Sequence, residues 1–188
     1  MTTKEINREL ILAEHMRFET DRLILRKIRF DDAADLLKYH GDAEIAQLAG
    51  FEVLKTLEDA QLDILNFAFK NMLTSWALEL KSSGQMIGDI ALGVEGDKAD
   101  FYFCLNRNFW KQGLATEAAA CLRDFYFGEL EIEVLTADHF VENKASGRVM
   151  EKIGMRRYGQ YFDLDENDHA RLTEYYALTR EDYLKKEN

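Results

Sequence analysis

The chain predicts an α+β domain: a mixed, mostly antiparallel sheet with one parallel crossover. Three observations lead there. Apolar residues alternate with period two over 75–80, 86–94 and 99–105, and Ser82-Ser83-Gly84 and Glu95-Gly96-Asp97 supply the turns between these runs. The period then changes to 3.6, with Leu114, Ala118, Cys121, Leu122 and Phe125 forming one stripe after Gly113, and a strand over 132–137 follows. A strand, helix and strand in that order make the two strands parallel neighbours. A length of 188 residues, 47% apolar and 31% charged, suits one globular domain.

The remaining elements follow in chain order. Residues 1–15 read as a charged leader. Thr2 and Glu5 fit a capping box with Ile6, Leu10 and Ala13 on one stripe, and a frayed tail fits equally well. The domain organisation is therefore an N-terminal extension over 1–17 and one domain over 18–188. Residues 18–28 read as a strand, with Leu23 and Leu25 on one face and Arg22, Ile24 and Arg26 on the other. Asp31 is placed to cap a short helix that turns Ala33, Ala34 and Leu37 inward. Thr56 opens a longer helix carrying Leu57, Ala60, Ile64, Leu65, Ala68 and Met72 at helical spacing. After the crossover, 144–153 predicts a helix with Ala145, Val149 and Ile153 on one face and Gly154 as its stop. Strands over 155–162 and 171–178 close the fold. Proline is absent, so caps and glycines must set the helix ends.

Charge and composition exclude several classes. There are 24 basic and 35 acidic side chains, a net charge of -11. That argues against a nucleic-acid partner, which needs a basic face, and permits a cationic substrate. No apolar run reaches the roughly 18 residues of a membrane span, and the first ten residues lack the apolar core of a signal peptide. Two cysteines, Cys104 and Cys121, make no disulfide framework and point to a reducing, cytoplasmic setting. The four histidines stand far apart with no CxxC or HExxH, so no metal site is expected.

The chemistry is concentrated at the crossover. Residues 106–116 lead from strand to helix, where unpaired N–H groups and the positive end of the helix dipole face outward. Such a turn is suited to a pyrophosphate. Gly113 and Ala115 lack bulk, and Lys111 adds a positive charge.

Several motifs stand in order around this turn. They are Thr20-Asp21-Arg22-Leu23-Ile24-Leu25-Arg26, then Asp32-Ala33, Ile87-Gly88, Trp110-Lys111-Gln112-Gly113-Leu114-Ala115-Thr116-Glu117-Ala118, and Asn143, Ser146, Arg148, Val149, Lys152, Gly154 and Met155. Together they resemble the GNAT acetyltransferases, and within them the RimJ/RimL-type N-acetyltransferases, over residues 19–183. The resemblance implies the GNAT acyl-CoA N-acyltransferase fold, with parallel central strands that splay apart around acetyl-CoA. Backbone groups of Phe103, Cys104 and Leu105 would pair with the pantetheine arm. The N–H groups of Lys111, Gln112, Gly113, Leu114, Ala115 and Thr116 would hold the pyrophosphate. Asn143 would contact the cofactor or orient the acceptor.

The implied reaction transfers acetyl from acetyl-CoA to an amine, a protein or peptide N-terminus or a small amine. A base must take the amine proton, and Asp100 holds the family's acidic strand position. Its alternative is a solvated charge. A backbone N–H at a bulge before Leu105 would face the oxyanion. Many members have a tyrosine acid where Met150 stands here. Ser146 takes its place as acid, or merely satisfies the helix N-terminus. Glu117 reads as a helix-start charge, His139 as structural and Trp110 as packing. Lys111 replaces a loop glycine, Arg107 a proline, and Tyr102 a frequent glycine. No metal cofactor is implied, and a homodimer is allowed. The rival reading is a non-catalytic acyl-CoA-binding module.

Overall fold

The computed structural model describes residues 7–186. Eight strands form one sheet: β1 (Arg17–Glu19), β2 (Leu23–Arg26), β3 (Ser75–Leu80), β4 (Gln85–Glu95), β5 (Lys98–Leu105), β6 (Val134–Phe140), β7 (Arg156–Leu164) and β8 (Ala170–Thr179). Their order across the sheet is β1-β2-β3-β4-β5-β6-β8-β7. Every neighbouring pair is antiparallel except β5 and β6.

That parallel pair shapes the molecule. β5 and β6 are in register only at Lys98 with Val134, Ala99 with Leu135 and Asp100 with Thr136. Beyond Asp100 the strands part, so residues 101–105 have β4 on one side and an opening on the other. The splayed central strands expected from the resemblance are present.

Helices cover both faces. They are α1 (Arg8–Glu14), α2 (Ala33–His40), α3 (Ala43–Ala49), α4 (Leu57–Asp63), α5 (Leu114–Gly128), α6 (Lys144–Lys152) and α7 (Arg180–Lys186). Alternation along the strands divides the core in two. Leu23, Leu25, Trp76, Leu78, Ile90 and Phe101 pack with Leu122 and Tyr126 of α5. On the opposite face Ala77, Met86 and Cys104 pack with Leu36 and Tyr39 of α2 and with Ala60 and Ile64.

Several local expectations need correction. Residues 18–28 form two strands, β1 and β2, paired as a hairpin. Asp31 does not cap α2. A 3₁₀ turn (Phe30–Asp32) comes first, and the buried Asp32 accepts from Arg29 N and from two nitrogens of Arg26. The inward face of α2 is Ala33, Leu36 and Tyr39. Thr56 does open α4, with Asp59 completing its capping box. There only Ala60, Ile64 and Ala68 are buried, while Leu57, Leu65 and Met72 are exposed. The turn over Ile64–Ala68 is a π-helix, which rotates the stripe away from ideal spacing. In α6 the buried residues are Gly147 and Met150 rather than Ala145. A Cβ on Gly147 would lie 2.6 Å from Nε2 of His139, so glycine allows the close approach of α6 to β6.

The leader residues Thr2, Glu5 and Ile6 lie outside the described residues. Asn7 caps α1, Leu12 is buried in the main core, and Arg8 donates to carbonyls of Leu130 and Gly96.

Candidate active site

Two hollows meet where β5 and β6 separate. A narrow cleft of about 210 Å³ runs from Phe103, Cys104 and Leu105 past Lys111 to Thr116 and is closed by α3 and α6. A wider cavity of about 1230 Å³ opens over the other end of the sheet, between α2, α4 and the β7–β8 hairpin. The two share Leu48, Ala49, Phe103, Asn143 and Ser146.

The narrow cleft is a backbone site. Asn106 N donates to Ile87 O, and the two-residue alternation of an antiparallel ladder then turns the backbone of Cys104 toward β4. The backbones of Phe103 and Leu105 face the opening. This corrects one expectation: the backbone of Cys104 serves β4, and its buried side chain packs in the core on the α2 face. The β4–β5 register is continuous from Gly88 with Leu105 to Glu95 with Lys98, so the expected bulge before Leu105 is absent. The Leu105 carbonyl accepts from Nε1 of Trp110 at 2.7 Å, which anchors the following loop. Trp110 is therefore more than packing.

The loop presents amides. Glu117 N to Gly113 O is the first helical bond of α5, so the N–H groups of Leu114, Ala115 and Thr116 precede the ladder. Gly113 has φ of 80° and Lys111 of 60°, both left-handed. At Lys111 this conformation explains why the family favours glycine there. Gln112 does not line the cleft. Its carbonyl accepts from Arg22 Nη1 and its side chain donates to Asn108 O. Lys111, Arg148 and Lys152 line the cleft, and no carboxylate does among the described residues. Amides at a helix start, a cation-lined wall and an open strand edge fit the phosphates and amide arm of a coenzyme A ester.

Arg22 and Glu117 hold this loop from behind. Glu117 accepts from the Thr20 hydroxyl, Arg22 N and Arg22 Nε. Burial pushes its carboxyl up, but these partners outweigh burial and leave it below the ordinary value. Glu117 is thus structural, as expected. The role of Thr20 and Arg22 as a clamp was not legible from the sequence.

The wide cavity has the opposite charge. Nine carboxyl side chains line it, among them Asp63, Asp89, Asp100, Asp138, Asp165 and Glu166, against Lys98 as the one lysine or arginine among the described residues. The β7–β8 tip folds over it: Glu166 N donates to Gly50 O, and its carboxylate accepts from Glu52 N. Burial and then the charge of Glu166 raise Asp63. Burial and then the charge of Asp63 push Asp89 up to about 8. His40 is lowered to about 4 by burial.

Asp100 stands at the last residue pair before the strands part and lines the wide cavity. Asn143 caps α6, its Oδ1 accepting from Ser146 N at 3.3 Å and its Nδ2 donating to Leu48 O at 3.2 Å. It ties α6 to the end of α3. Ser146 N is served by Asn143, and among the described residues the Ser146 hydroxyl has no protein partner. The expectation that it merely satisfies the helix N-terminus fails. His139 is buried, with Nδ1 2.8 Å from Phe140 O and Nε2 3.5 Å from Glu174. Met150 lines the wide cavity from α6.

Known proteins agree with this architecture. The family described as "Acetyltransferase (GNAT) domain" matches residues 22–156. The uncharacterized N-acetyltransferase YoaA of Bacillus subtilis is 29% identical over 147 residues, 75% of this chain and 83% of its own length. The crystal structure of a GNAT-family acetyltransferase from Bacillus anthracis superposes with a TM-score of 0.78 at 29% identity, covering 88% of this chain and 99% of its own. Spermidine N-acetyltransferase from Vibrio cholerae, solved with CoA and spermine, has the same fold at a TM-score of 0.72 and 16% identity, covering 88% of this chain and 99% of its own. The chain belongs to the GNAT acetyltransferase family and is an acetyl-CoA-dependent acetyltransferase.

Proposed function

We propose that this enzyme acetylates the amine of a cationic acceptor, a basic peptide N-terminus or a small polyamine. The observation that carries this reading is the charge division between the two hollows. A cation-lined cleft meets a carboxylate-lined cavity at Asn143 and Ser146. Placement in the RimJ/RimL-type branch rests on Thr20 to Arg26 and on the Asn143 to Met155 motif.

Acetyl-CoA supplies the acyl group as a thioester. Asp63, Asp165 and Glu166 draw a cationic acceptor into the cavity. Asp100 accepts the amine proton, directly or through water, freeing the lone pair for attack on the acyl carbon. The Leu105 N–H faces the oxyanion. As the tetrahedral intermediate collapses, Ser146 Oγ donates a proton to the departing thiolate and takes up the second amine proton in return, directly or through water, so the hydroxyl is restored and the amide nitrogen is neutral. Asn143 positions Ser146 by holding the first turn of α6 against α3. A homodimer is supported by β7, an edge strand that exposes Tyr158, Phe162 and Leu164, and light scattering tests it.

The test of the acceptor follows CoA release with spermine, a lysine-rich peptide, a neutral peptide and an acidic peptide at low and high salt. The cationic acceptors are expected to have kcat/KM higher by about tenfold or more at low salt. The advantage should shrink as salt rises and when Asp165→Asn and Glu166→Gln are combined. Equal rates for all four peptides and amines, indifferent to salt, overturn the cationic reading.

A further inference from the structure

We infer that His40, Asp89 and Cys104 form a binding site for a divalent ion of the zinc class, set in the wall between the acceptor cavity and the acyl-CoA cleft. The three come from separate elements. His40 ends α2, and Asp89 and Cys104 face each other across the β4–β5 ladder. All three side chains are buried, and one potential ligand atom from each lies within 4.8 Å of the other two. None is hydrogen-bonded to another. Nε2 of His40 and Oδ1 of Asp89 have no partner among the described residues.

That arrangement is unusual for a plain core. A buried polar atom left unpaired costs about 1–3 kcal/mol, and His40 and Asp89 each carry one within this cluster. A cation at their centre would satisfy both. Ligands at zinc sit about 2.0–2.3 Å from the ion, which the observed spacing allows with small side-chain adjustments. The donor set is an imidazole, a carboxylate and a thiolate. It favours zinc-class ions over magnesium or calcium, which take oxygen ligands. The His40 ring is held by stacking on Phe51 at 4.5 Å and by an edge contact with Tyr39 at 4.9 Å. Such support orients metal-binding histidines. His40 and Asp89 line the acceptor cavity and Cys104 lines the cleft, so the three span the wall between the two hollows. The expectation of no metal came from linear spacing. Positions 40, 89 and 104 match no motif: the β4–β5 register brings Asp89 to Cys104, and the packing of α2 on the sheet brings His40 to both.

The experiment titrates the full chain with Co²⁺ after chelator treatment. One equivalent should bind, with a thiolate-to-cobalt charge-transfer band in the near ultraviolet, and Zn²⁺ should displace it. Cys104→Ser should remove the band and weaken binding by about 100-fold or more. His40→Gln should weaken binding comparably, and Cys121→Ser should change neither. Absence of the band in the wild type overturns the site, as does a band that survives Cys104→Ser or is lost in Cys121→Ser. If Cys104→Ser fails to fold, X-ray absorption at the zinc edge on the wild type decides. One sulfur at about 2.3 Å supports the site, and nitrogen and oxygen neighbours alone overturn it.

Discussion

The two hollows at the parted strands are built by different rules. The acyl-CoA cleft draws its chemistry from consecutive backbone: Phe103 and Leu105 on one strand edge, then the amides that open α5. The acceptor cavity draws its chemistry from side chains of α2, α4, β4, β5, β6 and the β7–β8 tip. A backbone site tolerates many side chains but demands particular φ values and small residues. A side-chain site leaves no such trace in a linear text. The first should therefore break through sterics and the second through charge.

The largest effect is expected at Gly113. Its φ of 80° disfavours any side chain, and a carboxylate there would face the bound phosphates. Gly113→Glu should lower acetyl-CoA affinity by about 100-fold or more, since both strain and repulsion oppose binding. Calorimetry on the folded variant checks this, and unchanged affinity would remove the loop from the cofactor site.

Ser146 lies where the two hollows join, so it sharpens the comparison. Ser146→Ala should lower kcat by roughly 10²-fold, the ordinary contribution of a general acid, with acetyl-CoA affinity nearly unchanged. Because its hydroxyl bonds no protein group, stability should not fall by the ~1 kcal/mol typical of a lost cap. A wild-type kcat takes Ser146 out of the chemistry.

The smallest effect concerns Lys111, a side chain held in a glycine conformation with φ of 60°. Lys111→Gly should raise stability by about 1 kcal/mol, the strain of a left-handed residue, while removing one cation from the cleft. Thermal melts and acetyl-CoA titration separate the two. A lower melting temperature together with unchanged binding contradicts both roles.

This division explains what the sequence disclosed. The hairpins around Gly84 and Gly96 and the crossover after Gly113 were legible because turn chemistry and a change of period are local signals. The loop from Lys111 to Thr116 followed from them, whereas Phe103, Leu105 and Asn143 were named only through the family resemblance. α3 was missed because its seven residues show little more than one apolar turn, although Asp42 caps it with bonds from Glu44 N and Ile45 N. α7 was missed because it follows β8 without a break. In α2 the helix was legible but its buried face was not, because a 3₁₀ turn precedes it; in α6 Val149 and Ile153 pack inward as expected, and only Ala145 gives way to Gly147 and Met150. The acidic cavity was legible only as a net charge of -11 that permits a cationic substrate. Asp63, Asp89 and Asp138 join it through tertiary contacts that no spacing announces.

The three-residue seam between β5 and β6 also bears on how long the protein survives in a cell. Two half-sheets share only Lys98 to Asp100 and Val134 to Thr136, and the gap beyond is where the proposed function puts the coenzyme. A ligand that binds only the folded chain stabilises it by mass action, by about 2.7 kcal/mol at a hundredfold excess over Kd. Unfolded molecules are those that proteases remove. Saturating acetyl-CoA should therefore raise the melting temperature of this chain and slow its digestion by a protease.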